Sequence, residues 1–302
     1  MNDAHTHTGT NGDRPARSPE TPRVEGRAAA LRARRRTPWP LAVVALLFVV
    51  VPALTWYWTW FGRSLTDEEV GRYLADSNPR HAQHALAQIA ERAESRSESP
   101  ARWKPQLLAL ARSPVPDLRM TAAWVMGFEH GSEDFREALA GLLGDSEPIV
   151  RRNAALALVR FGDARGRAEL VAMLGAYPVK ATAGGTALTS LTEGTPVKRG
   201  SLLVKFKNGA GALEEVRSPL PGRIEKASVK EGDRFDAGAE LFRLAPDAEQ
   251  ARDALVGLYH VGAAEDLPEV ERYAAGVEGA PADLREKAAQ VAEAIRRRSG
   301  SK

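Results

Sequence analysis

The chain has 302 residues, 43% hydrophobic and 27% charged, a globular balance long enough for two modest domains. Its formal charge of +3 is concentrated before residue 39, where eight arginines face four carboxylates; phosphate recognition needs cations massed on a folded face, so no nucleic-acid partner is expected. With no cysteine, disulfides, thiolate metal sites and cysteine nucleophiles are excluded.

Residues 1–38 carry almost no large apolar side chain beyond Val24 and Leu31, too little surface to bury, so this segment is expected to be a disordered basic cytoplasmic tail. From Leu41 to Phe61 no residue is charged. As a helix this stretch would measure roughly 31 Å, the thickness of a bilayer core. Aromatic residues mark both ends, with Trp39 before and Trp56, Tyr57, Trp58 and Trp60 at the close. The spacing predicts a single transmembrane helix within 39–62. Arg32, Arg34, Arg35 and Arg36 on its N-terminal flank put the N-terminus in the cytoplasm and all that follows outside, as in a single-pass protein of a bacterial inner membrane.

Thr66 with Glu69 forms a capping box, and Asn78-Pro79 is an N-cap followed by proline at the first helical position, so short helices are predicted after each. Leu110–Met126 aligns without gaps on Leu142–Leu158 at an offset of 32, bringing Leu118-Arg119 onto Val150-Arg151. A period near 32 with paired helices predicts a solenoid over 63–176. The signature returns later: Asn153–Ala164 matches Asp253–Ala264 at an offset of 100, and a proline-led copy with Leu284-Arg285 follows Pro281. That offset exceeds one repeat by about 70 residues, so the solenoid is expected to be interrupted and to resume over 247–298, with 299–302 a disordered end. The pattern resembles HEAT repeats, including the short bacterial kind found in phycobilisome lyases. The resemblance implies that Arg119, Arg151 and Arg285 bond to neighbouring turns rather than forming an anion ladder.

Between 177 and 246 glycine and β-branched residues rise. Glu193–Phe206 aligns on Glu231–Leu244 at an offset of 38, superposing Gly194 on Gly232 and Gly200 on Gly238. Two copies of strand, turn, strand predict a pseudo-two-fold β-sandwich with glycines at positive φ in its turns. Ser218-Pro219-Leu220-Pro221-Gly222 followed by Lys230-Glu231-Gly232-Asp233 resembles the biotinyl/lipoyl-like barrel-sandwich hybrid of carrier domains and of membrane-fusion (periplasmic adaptor) proteins. In carriers the resemblance implies a modified lysine at the hairpin joining the halves. Lys207 is the nearest residue, without the flanking pattern of either carrier. Lys207, Asn208 and Gly209 are instead expected to be a turn that contacts a partner. In adaptors a coiled coil is inserted at this hairpin; here the joining loop is short.

The expected fold is therefore α+β multidomain: a single transmembrane helix, then a HEAT-like α-solenoid interrupted by a small β-sandwich. No catalytic motif is present. His81 and His84, at i and i+3, could share a metal but lack a third ligand nearby. No cofactor and no small-molecule substrate are expected. The expectation is a non-enzymatic, membrane-anchored scaffold or accessory subunit of a respiratory, transport or secretion complex, with an export adaptor or a biotinyl/lipoyl carrier component as alternatives.

Overall fold

The computed structural model describes residues 43, 44, 46–52 and 64–300. The chain divides into two compact units, Met1–Arg63 and Ser64–Lys302. One expectation is corrected at once: among the described residues no helix is long and apolar enough to cross a membrane. Residues 43–44 and 46–52 are helical. The remainder of the 41–61 stretch, the tail 1–38 and residues 301–302 lie outside the described residues.

In the second unit ten α-helices form five antiparallel pairs. α1 (Asp67–Leu74) opens on the Thr66 capping box, where Thr66 N donates to Glu69 Oε2 at 2.9 Å and Glu69 N to Thr66 Oγ1 at 3.3 Å. α2 (Pro79–Glu94) is capped by Asn78, whose side chain accepts from Arg80 N. Then come α3 (Lys104–Leu110) with α4 (Pro116–Met126), and α5 (Glu133–Leu142) with α6 (Pro148–Arg160). α7 (Arg167–Ala172) pairs with α8 (Ala248–Val261), and α9 (Leu267–Ala275) with α10 (Ala282–Gly300). α10 takes in Ser299 and Gly300, which the sequence assigned to the tail. The second helix of each pair packs on the second helix of the next, from α2 to α10. Alanines at the crossing points, such as Ala122, Ala154 and Ala254, are fully buried and let the backbones approach.

The repeats share one device for fixing their turns. Arg119 Nη1 donates to Ser113 O at 2.8 Å, and Arg151 Nη1, one repeat later, donates to Asp145 O at 2.8 Å. Arg119 also grips Asp145 in the following turn through Nε and Nη2, at 2.6 and 2.8 Å. Arg285 reaches back to Ala274 O at 3.1 Å. These arginines hold turns; none forms a shared anion ladder.

Eight strands fill the interval between α7 and α8: β1 (Tyr177–Lys180), β2 (Gly185–Ser190), β3 (Pro196–Val197), β4 (Leu202–Asn208), β5 (Leu213–Arg217), β6 (Gly222–Ala227), β7 (Arg234–Phe235) and β8 (Glu240–Ala245). They form two four-stranded sheets, ordered β1-β8-β6-β3 and β5-β4-β2-β7. Advancing each strand by four positions turns one order into the other, so the sandwich is built from two copies of one four-strand unit. The glycine pairs occupy matching turns, Gly194 and Gly232 at φ 83 and 87°, Gly200 and Gly238 at 83 and 82°. A core of Val179, Ala187, Val204, Phe206, Ile224, Phe242 and Leu244 separates the sheets.

The sandwich is spliced inside a repeat. Leu143-Gly144 leaves α5 and reaches Pro148 within a short turn; Leu174-Gly175 leaves α7, and the next helix begins at Ala248. The two halves of the split pair nevertheless share one core, in which Leu170, Met173 and Leu174 pack with Ala254, Leu255 and Leu258. Leu143 touches both this core and the one formed by the preceding repeats, so the helical interior is continuous across the splice.

Candidate functional site

The exposed side of the second-helix row carries an open furrow. Its larger part, about 580 Å³, is lined by Trp124 on α4, Asn153, Leu156, Ala157, Val159 and Arg160 on α6, and Asp253, Val256, Gly257 and His260 on α8. A second hollow of about 290 Å³ shares Val256 and His260 and continues to Tyr259, Lys287 and Gln290. The floor is where the helices come closest. A Cβ on Gly257 would stand 2.9 Å from Leu170 Cδ1, and one on Gly127 2.9 Å from Ala157 Cβ. Glycine at these two places draws α8 and α4 toward their neighbours.

Trp124, Val256 and Tyr259 are 37, 41 and 45% exposed, so the furrow presents large apolar side chains to solvent. Isolated exposed apolar residues are ordinary; here three stand along one furrow. Trp124 meets Phe128 edge-on at 5.5 Å, and the Arg160 guanidinium lies 4.4 Å over the Phe128 ring, which fixes the wall. Asp253 has no hydrogen-bond or ion-pair partner among the described residues. It is exposed, yet surrounding protein desolvates its carboxyl, and with Glu249 beside it this pushes the carboxyl up from the ordinary carboxylate range.

A second polar cluster welds the sandwich to the helices. Arg152 is 4% exposed. It donates to Gln250 Oε1, lies 3.7 Å from Glu169 Oε1 through Nε, and faces the Tyr177 ring at 5.9 Å. Gln250 Nε2 passes the contact on to Pro221 O at 2.7 Å. Burial disfavours the charged guanidinium here and lowers its pKa, while Glu169 opposes the shift. Arg199, in the turn before β4, adds an ion pair to Asp117 at the start of α4.

These contacts orient the hairpin of β4 and β5. β4 begins beside Arg199 and β5 ends near Pro221, both against the helices, so the hairpin tip points away from them. The tip runs from Asn208 to Ala212, with Asn208 Oδ1 accepting from Ala210 N and Ala212 N at 3.0 Å. Lys207 sits not at the tip but in β4, exposed and opposite Leu213, which is 61% exposed. Gly209 is exposed and Asn208 half-buried in its own turn.

His81 and His84 are drawn into separate contacts. His81 Nδ1 lies 2.6 Å from Asp76 Oδ2 and its ring stacks on Tyr73 at 4.7 Å; His84 Nε2 lies 3.2 Å from Gln88 Nε2. Among the described residues no group of three or more potential ligands is placed to hold a metal ion. The furrow residues are ones that sequence motifs do not mark. A signal for them exists in the offset of 100, which lays Asn153, Leu156, Ala157 and Arg160 on Asp253, Val256, Gly257 and His260.

The family of HEAT repeats matches residues 104–185, the stretch from α3 to the first residue of β2. No curated protein matches the chain. Among solved structures it is similar to one described as "Structure and function of a single-chain, multi-domain long-chain acyl-coa carboxylase", at 18% identity and a TM-score of 0.23. That match covers 33% of this chain and spans 10% of the other. The HEAT repeats suggest a protein-interaction scaffold.

Proposed function

We propose that the chain is a non-enzymatic scaffold, an accessory subunit that holds a partner protein in the furrow and presents the sandwich as a second contact module in the same assembly. The observation that carries this reading is the furrow itself, with Trp124, Val256 and Tyr259 exposed along α4 and α8. Repeat proteins bind through such extended helical rows. The sandwich supports the reading through its attachment. Arg152, Gln250 and Arg199 fix its base, so the end of the hairpin, with Lys207 in β4 and Asn208 and Gly209 in the turn, is held at a defined distance from the furrow. We read it as a biotinyl/lipoyl-like sandwich used for contact, which the exchange of sheet orders under a four-strand shift supports.

A photo-reactive residue at Val256, at Leu213 or, as a control, at Arg112 in the α3–α4 turn tests this in native cells. The expected result is a discrete crosslinked partner from Val256 and from Leu213 and none from Arg112. Silence at Val256 with a folded protein would overturn the scaffold reading, and an intact mass carrying an adduct on Lys207 would replace contact with carriage.

A further inference from the structure

Charge is unevenly divided between the two parts of the second unit. Residues 177–246 carry eleven lysines and arginines against eight carboxylates, whereas the helical residues 64–176 and 247–300 carry 21 against 27. An acidic partner is therefore drawn to the sandwich and away from the solenoid.

The hairpin of β4 and β5 is where two of these cations stand free. Residues paired across neighbouring strands share a face: Lys207 is paired with Leu213 on one side and Thr186 on the other, and Lys205 with Glu215 and Thr189. Phe206, between the two lysines, is fully buried in the sandwich core, so Lys205 and Lys207 lie on the outer face of the sheet. Along the strand they are about 7 Å apart. Leu213, beside Lys207, is 61% exposed.

The acids of the hairpin are already engaged. Glu215 is held by Arg217 at 2.7 Å, and Glu214 accepts from Asn208 Nδ2. The remaining ion pairs of the sandwich are Arg199 with Asp117 and Arg243 with Glu240, so Lys205 and Lys207 have none among the described residues. At the far edge of the same sheet Arg234 adds a cation, but Asp233 and Asp236 flank it in the chain, and the excess stays at the hairpin.

We propose that the outer face of the β4–β5 hairpin docks an acidic segment of a partner protein, in which two carboxylates meet Lys205 and Lys207 and an aliphatic side chain covers Leu213. In an extended segment, residues i and i+2 point the same way and are also about 7 Å apart, which matches the two lysines. A nucleic acid or a lipid surface fits less well. Strong DNA binders neutralise about six to ten phosphates, and lipid-binding clusters hold about four to eight cations. Two free lysines beside an exposed leucine suit a ligand with few charges and some apolar surface. This assignment rests on the scaffold reading above and names the chemistry of the partner at the sandwich's contact face.

The test uses the full chain and a fluorescent peptide with glutamate at alternate positions and leucine among them. A second peptide has glutamine for glutamate, and a short single-stranded DNA and vesicles of anionic lipid serve as rival probes. Anisotropy is expected to show the glutamate peptide binding about tenfold tighter than the glutamine one. Lys205→Glu and Lys207→Glu should each weaken it about fivefold with the thermal melt unchanged, while Lys226→Glu, on the other sheet, should leave it within about twofold. An equal loss from Lys226→Glu would show a response to net charge alone and overturn the proposal, as would equal binding of the two peptides. Tighter binding of the DNA or the vesicles than of the glutamate peptide would overturn the class of partner. If no peptide binds while crosslinking at Val256 still captures a partner, the acidic-segment proposal falls and the scaffold stands; if both fail, both fall.

Discussion

Arg167 Nε lies 2.9 Å from Asp266 Oδ2, although 99 residues separate them in the chain. Arg167 opens the helix before the sandwich and Asp266 stands immediately before α9, with its Oδ2 also accepting from Ala263 N at 2.8 Å. The solenoid therefore closes on itself across the splice and does not depend on the sheets for this contact.

Excising the sandwich should leave a folded helical protein. Replacing residues 176–247 by Asp-Ser-Glu, the turn that follows Leu143-Gly144, is expected to preserve helical circular dichroism and one cooperative melt. Arg152 would then lose Tyr177 and the relay through Gln250 to Pro221. Loss of the helical signal on excision would show instead that the sheets hold α7 and α8 together.

The Arg119–Asp145 pair should appear in the acid limb of stability. Arg119 and a backbone N–H at Glu147 hold the Asp145 carboxyl below its ordinary range, so the folded state has the lower pKa. Its contribution is present above the unfolded-state value near 4 and is lost as pH falls below it. Arg119→Ala is expected to cost about 2 kcal/mol at neutral pH and to flatten the dependence between roughly pH 5 and 2. Urea melts across that range check both.

Asp253 should behave in the opposite sense. Its folded pKa is raised, chiefly by burial, so the unfolded chain ionises first and the folded state loses stability as pH rises through the carboxylate range. Asp253→Asn is expected to match or exceed the parent by up to about 0.5 kcal/mol at pH 7 and to show no gain at pH 3. A thermal melt at the two values decides it.

The sandwich has one close backbone approach in each half. A Cβ on Gly185 would stand 2.6 Å from Lys207 O, and one on Gly222 would strike Ala245 O. Neither carbonyl can yield without breaking the β2–β4 or β6–β8 pairing. Gly222→Ala is expected to cost about 2 kcal/mol, with Gly209→Ala, which has open space around it, close to neutral. Denaturant midpoints of the two variants check the contrast.

The alignments that reveal the repeats work because each unit solves the same local problem. Arg119 and Arg151 recur because each turn needs a donor for its carbonyl, and Gly194 recurs as Gly232 because each half needs the same left-handed turn. The furrow is less legible. Trp124, Asp253 and Val256 are exposed positions on helices that meet only after the repeats stack; the offset of 100 aligns Leu156 with Val256 but does not show that either faces solvent. The Arg152 cluster is hidden for a related reason: its members Glu169, Tyr177, Pro221 and Gln250 come from four different elements, and only packing unites them. Lys207 illustrates the limit for the sandwich, because the carrier resemblance placed it at the joining turn while Asn208 draws the turn one position further on.

Placing a folded module between α7 and α8 also sets an order of assembly. During synthesis at 5–20 residues per second, α7 leaves the ribosome roughly 4 to 15 s before α8 can follow it. Through that interval Leu170, Met173 and Leu174 have only α6 of the preceding repeat to pack on, whereas every strand of the sandwich has been made by Ala245. The nascent chain thus waits with an apolar edge open in mid-repeat, and a chaperone that shields this edge until Leu258 arrives would decide the yield of native protein.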